Sequence, residues 1–162
     1  VNDPAYANHP VTNVTWQQAK DYCEHAGGNL PTEAQWEKAA RGEDSWQMFP
    51  WGDNLPNCNL VNYNMCVGET TEVDDYEDGV SPFGLFNMSG NVMEWVGDWS
   101  SAYQQGFQEN PTGPEDGVQK VVRSSNYSDS EEFVTTYQRN GIGPSMNKAY
   151  IGLRCVTEPT DE

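Results

Sequence analysis

Asn87-Met88-Ser89-Gly90-Asn91-Val92-Met93-Glu94-Trp95 is the stretch on which the reading of this chain turns. Asn87 and Glu94 offer side-chain oxygens. Gly90 lets the backbone turn, and the carbonyls of Gly90 and Val92 can point at a common centre. An all-oxygen set that mixes side chains and carbonyls is what a hard cation such as calcium takes. The same residues also read as a Gly-Asn turn entering a strand, with Glu94 in solvent. The local sequence leaves both readings open. From Asn91 to Trp99 the apolar residues continue, which is a strand signal.

Upstream, Thr15-Trp16-Gln17-Gln18 and Thr32-Glu33-Ala34-Gln35 are two capping-box patterns. The first predicts a helix with Trp16, Ala19, Tyr22, Cys23 and Ala26 on one face, stopped by Gly27-Gly28. The second predicts a helix that buries Trp36, Ala39 and Ala40 and ends at Gly42. Residues 1–14 read as a connecting segment ending in a strand, and 43–80 as loop with short strands. Residues 118–123 and 150–156 are expected to pair as terminal strands, and 157–162 form an acidic tail.

Read in order, several segments resemble the formylglycine-generating enzyme family, also called sulfatase-modifying factor domains. They are His9-Pro10-Val11-Thr12-Asn13-Val14-Thr15-Trp16, the run from Leu30 to Gly42, Phe49-Pro50-Trp51-Gly52, and Ser81-Pro82-Phe83-Gly84-Leu85-Phe86-Asn87-Met88. The opening stretch with its continuation to Trp99, and Ile151-Gly152-Leu153-Arg154-Cys155, complete the series. The resemblance implies an α+β, irregular C-type-lectin-like fold with two short helices, small antiparallel sheets and long loops. It places one domain over residues 1–156. Family domains usually carry a substantial part before the His-Pro-Val motif, so the chain is expected to be the C-terminal portion of a longer one.

The resemblance also assigns residues. Calcium is implied at Asn87, Gly90, Val92 and Glu94. A second calcium site is half-matched by Asn59 and Leu60, with no Asp where its other half falls. Cys23 and Cys155 stand where the family places a disulfide, and Cys58–Cys66 is expected as a second. Four reduced thiols in a cytoplasmic protein are the alternative; two disulfides imply an extracytoplasmic setting. The founding oxidase activity needs two cysteines just after an Arg-Gly-Gly-Ser-like motif, where thiolates hold copper(I). The matching run, Arg123-Ser124-Ser125-Asn126-Tyr127-Ser128-Asp129-Ser130-Glu131-Glu132-Phe133, contains none. A related three-histidine iron site cannot be built from His9 and His25 alone.

Composition narrows the partners. The net charge is −17, with 8 Lys plus Arg against 25 Asp plus Glu. So few cations make no phosphate-binding footprint, which excludes nucleic acid. An anionic membrane surface would repel the chain. Acids gather at 69–78, 109–116, 129–132 and 158–162. No apolar run is long enough to span a bilayer as a helix. Asn13, Asn87 and Asn126 each begin an N-glycosylation triplet.

These readings lead to a non-catalytic, calcium-stabilised module that binds a protein partner or joins a larger assembly. Its binding groove is expected from Trp99, Tyr103, Arg123, Asn126, Tyr127, Phe133, Tyr137 and Arg139. One alternative is an enzyme with rewired metal-dependent chemistry at Asp129 or Glu131 in the same groove. Another is a lectin-like receptor with diversified C-terminal loops.

Overall fold

The computed structural model describes residues 3–43 and 46–157. Both capping boxes form as the sequence predicts. Thr15 opens helix α1 (Trp16–His25) and Thr32 opens helix α2 (Glu33–Arg41), each with its hydroxyl and the side chain of Gln18 or Gln35 exchanging bonds with the backbone. These exchanges satisfy amide groups that a helix start otherwise leaves without partners. Gly42, at φ 73°, closes α2.

Among the described residues four short strands follow: β1 (Met93–Trp99), β2 (Lys120–Arg123), β3 (Arg139–Ile142) and β4 (Ile151–Leu153). They form one sheet in the order β3-β2-β1-β4. The β1–β2 and β2–β3 pairs are antiparallel, whereas β4 runs parallel to β1. The sheet is therefore mixed, and residues 118–123 do not pair with 150–156 as the sequence suggested. The reason is burial. Met93 to Val96 are buried in succession, so β1 takes the centre and receives a neighbour on each edge. Strand β3, with Arg139, Asn140 and Gly141, carries no apolar alternation and was not foreseen. Among the described residues of 1–14 there is a 3-10 turn, Pro4–Tyr6, and no strand.

Alternate residues of β1 and β2 face two clusters. Met93, Trp95 and Val122 pack with Ala19 and Cys23 of α1, Leu30 and Ile151. Val96 and Val121 pack with Trp36 and Ala40 of α2 and with Met88. A third cluster joins Val61, Tyr63 and Val134. The expected face of α1 is corrected: Tyr22 is exposed, and Ala26 is exposed as the C-cap residue. Tyr22 sits about 100° around the helix from Cys23, outside the stripe that meets β1. Both disulfides are present, with Cα atoms 5.4 Å apart in Cys23–Cys155 and 5.7 Å apart in Cys58–Cys66.

Polar groups bind the layers at defined points. The indole of Trp95 donates to the Val14 carbonyl at 3.0 Å, and that of Trp16 to the Val96 carbonyl at 2.8 Å. The register of β1 against β2 shifts between Trp95 and Trp99. Within this irregularity Gly97 donates to the Pro31 carbonyl at 2.9 Å, tying β1 to the start of α2. A bulge of this kind re-aims the side chains that follow it. Here those are Asp98 and Trp99, which both reach a groove beside α2.

Candidate functional site

The groove encloses about 940 Å³. Helix α2 contributes Glu33, Glu37 and Arg41 to it. The end of β1 contributes Asp98 and Trp99, the loop after β1 adds Tyr103 and Gln108, and Tyr137 and Arg139 close it. Four of the expected groove residues, Trp99, Tyr103, Tyr137 and Arg139, are thus brought together.

Glu33 organises the floor. Its Oε1 accepts from Arg139 Nε at 2.7 Å, Arg123 Nη1 at 2.7 Å and the Tyr103 hydroxyl at 2.8 Å; its Oε2 accepts from Arg139 Nη2 at 2.8 Å. Its own N–H donates to Asp98 Oδ2 at 2.7 Å. Burial pushes the Glu33 carboxyl upward, but the Arg139 hydrogen bonds and the Arg123 charge outweigh it, so its pKa is lowered. Asp98 moves the other way, because burial dominates over the bond from the Glu33 amide. Burial of its hydroxyl end, turned onto Glu33 while the ring stays open to water, also raises the Tyr103 phenol, the Arg123 charge notwithstanding.

Arg123 lies wholly beneath the groove. It is fully buried, donates to the Thr136 carbonyl at 2.7 Å and to Glu37 Oε2 at 3.1 Å, and sits 5.2 Å from the Trp36 ring. Arg139 is 4.5 Å over the Tyr103 ring and holds the Ser101 carbonyl at 3.1 Å. The loop after β1 is therefore anchored to α2 through charge-assisted bonds. Such a floor has its charges already matched. It presents a shaped aromatic and amide surface, with the Asp98 carboxylate held by the Glu33 amide at one side.

Asn126, Tyr127 and Phe133 do not line the groove, which corrects the sequence expectation. After β2 the chain turns inward at Ser124, φ 71°. Ser124 donates to the Gly90 carbonyl, the Gly90 amide donates to Ser125 Oγ, and the Tyr127 amide donates to the Asn91 carbonyl. These bonds draw 124–127 under the core. Asn126 is buried, with its Oδ1 accepting from Ser128. Asp129 accepts from the Asn126 amide, and neither it nor Glu131 reaches the groove, so the metal imagined there has no place in it. Sequence reasoning missed Glu33, Glu37 and Asp98. Their only signal was that a chain so poor in cations buries an arginine, which must meet carboxylates.

The calcium residues divide. Asn87 holds φ 53°, a conformation Asn tolerates. Its Nδ2 donates to the Val73 carbonyl at 3.0 Å, while its Oδ1 is buried and has no partner among the described residues. Gly90 is obligatory, since a Cβ there would collide with the Val61 side chain and the Asn62 carbonyl. An orphaned amide oxygen in this turn fits a hard cation. The Glu94 carboxylate does not stand free to join it. Its oxygens accept from Arg154 Nε at 2.6 Å and Nη2 at 2.7 Å, and from the Trp36 indole at 2.6 Å. At the second site Asn59 is exposed and the Leu60 carbonyl is packed against Gly79. Of the three glycosylation triplets, Asn13 is exposed, Asn87 is half-buried and Asn126 is buried.

Residues 1–159 match the Sulfatase-modifying factor enzyme 1-like domain. The chain belongs to this family. Among relatives of this sulfatase-modifying-factor-like domain, the formylglycine-generating enzyme of Thermomonospora curvata is 35% identical over 94% of this chain and 56% of its own length. The serine/threonine-protein kinase pkn1 of Chlamydia pneumoniae is 36% identical over 96% of this chain and 25% of its own length. The domain thus spans about half of the one and a quarter of the other. Treponema denticola variable protein 1 superposes with a TM-score of 0.81 at 23% identity, covering 94% of this chain and 72% of its own. The fold is the α+β, C-type-lectin-like one of the family.

Proposed function

We propose that this domain is a non-catalytic, extracytoplasmic module that binds a protein partner or a larger assembly through the groove beside α2. One observation carries the reading. Where the family's oxidase needs a thiol pair, the run from Arg123 to Phe133 has no cysteine, and all four cysteines of the chain are joined in disulfides. Soft copper(I) has no thiolate to bind. The two disulfides support an oxidising compartment. No helix among the described residues is long and apolar enough to cross a membrane.

The groove supports recognition. Tyr103 is 64% exposed and Tyr137 56%, with Arg139 between ion pair and solvent. Aromatic and arginine side chains are the usual anchors of protein interfaces. The Glu33 network holds them before a partner arrives, which lowers the entropy lost on binding. Calcium is proposed at Asn87 Oδ1 with the carbonyls of Gly90 and Val92, as a stabiliser of the turn between Met88 in one core cluster and Met93 in the other.

Incubation with copper, oxygen, a reductant and a peptide carrying the sulfatase cysteine motif tests the reading. The cysteine mass is expected to stay unchanged. Conversion to the aldehyde, read as a mass change on the peptide, would overturn it.

A further inference from the structure

A second cavity, of about 450 Å³, opens beside α1 and shares no lining residue with the groove. Its apolar wall is Pro10, Val11, Tyr22, Val73, Phe86 and Leu153, and the Glu94–Arg154 pair lies in its polar part. Val11 is 61% exposed, Tyr22 59% and Val73 51%. Large side chains left open to water around one concavity mark a contact surface.

The segment that brings Val73 to this cavity is acidic. Val73 lies within Glu69-Thr70-Thr71-Glu72-Val73-Asp74-Asp75-Tyr76-Glu77-Asp78. Three bonds pin that segment along the cavity edge: Tyr6 donates to Glu69 at 2.7 Å, His9 and Thr70 share a bond at 2.8 Å, and the Val73 amide donates to the Asn8 carbonyl at 2.9 Å. Glu69, Glu72, Asp74, Asp75, Glu77 and Asp78 are all exposed, and none pairs with a basic residue among the described residues. Seven of the chain's eight cations are employed elsewhere. Lys20, Lys38, Arg41, Arg123, Arg139 and Arg154 pair with other carboxylates, and Lys120 is enclosed between Trp16 and Trp99.

We infer that this cavity docks a basic polypeptide segment with an apolar anchor: its hydrophobic side chain fills the space between Tyr22, Val73 and Leu153, and its Lys or Arg residues meet the 69–78 rim. Charge complementarity selects the occupant. A second copy of a chain with net charge −17 is repelled from such a rim, whereas a cationic segment is steered to it. The anchor supplies affinity by leaving water, and the charges supply approach and orientation.

The test is a fluorescence-anisotropy titration of the 162-residue protein with a labelled twelve-residue peptide in which four lysines flank a Leu-Phe pair. Saturable binding is expected, weakening as salt screens the rim. Tyr22→Ala and Val73→Ser are each expected to weaken it about tenfold, the order set by one apolar contact. Glu72→Gln with Asp74→Asn weakens it further, and Phe107→Ser, at a residue lining neither cavity, leaves it unchanged. All these side chains are exposed, so the variants keep the fold; thermal melts verify this. Four results overturn the inference: no saturable binding, equal affinity for a peptide with Ser-Gly in place of Leu-Phe, equal affinity with glutamates in place of lysines, or dimers in sedimentation that compete with the peptide.

Discussion

Beside α2, Glu33 gathers Arg123, Arg139 and Tyr103 into a floor that has no covalent link. Beside α1, Cys155 lines a cavity and is bonded to Cys23 of the helix, with Arg154 holding Glu94 next to it. Both places rest on an arginine–carboxylate pair, yet they fail by different routes. The cavity side is protected chiefly through the unfolded chain, which the Cys23–Cys155 bond cannot let expand. The groove side is protected only while each buried charge keeps its opposite. A carboxylate with two arginines is also a firmer commitment than one with a single arginine, because losing it leaves Arg139 without a carboxylate and Arg123 with Glu37 alone.

The largest effect should come from the covalent side. The Cys23–Cys155 bond spans a separation of 132 residues, and removing it with paired Ser substitutions is expected to cost about 5 kcal/mol in the chain-entropy model. The Cys58–Cys66 bond spans 8 and should cost about 2.5 kcal/mol by the same reasoning. Urea unfolding of the two variants checks the order; equal losses would show that native-state strain, and not loop closure, governs both.

Next comes the ionic side. Glu33→Gln is expected to destabilise by roughly 3–5 kcal/mol, as for breaking a buried pair by removing one partner. Glu94→Gln should cost less, since Glu94 accepts from one arginine and an indole where Glu33 accepts from two arginines and a phenol. The sign with pH follows from the lowered Glu33 pKa. Its contribution is fully present above the unfolded-state pKa and is lost as pH falls through the folded value. The wild type should therefore lose its advantage over Glu33→Gln on acidification below about pH 4, where an ordinary glutamate protonates. Parallel stability curves from pH 7 to 3 would remove Glu33 from this role.

The smallest effect concerns the cation. Calcium should raise the melting temperature of metal-stripped protein, with a stabilisation of about 1.4 kcal/mol at a tenfold excess over its dissociation constant. Asn87→Gly keeps the positive φ and removes Oδ1, so it should abolish the rise. Glu94→Gln should leave the rise in place, because that carboxylate already serves Arg154 and Trp36. A rise lost in Glu94→Gln and kept in Asn87→Gly would reverse the assignment.

The two helices were legible because each is announced by a local capping box. β1 was legible because the stretch from Asn91 to Trp99 carries a strand-like run of apolar residues. The sheet order was not, since β3 is polar and β4 joins β1 from 58 or so residues away, a pairing no short-range pattern encodes. In the groove, Trp99, Tyr103, Tyr137 and Arg139 were reached by resemblance. Glu33 stayed hidden because it reads as one more residue of a capping box. Glu94 shows the reverse: as a string of letters it offers two oxygens, and only the fold brings Arg154 to them.

Lys120 lies between the Trp16 and Trp99 rings, its Nζ 3.9 Å and 4.0 Å from their centroids, and donates to the Gly97 carbonyl. Burial lowers its pKa, Asp98 opposing. Between two indoles the amine is shielded from acylating reagents in solution. Its labelling rate in native protein, set against that of exposed Lys38, would therefore time the opening of this edge of the domain, residue by residue, without any engineered probe.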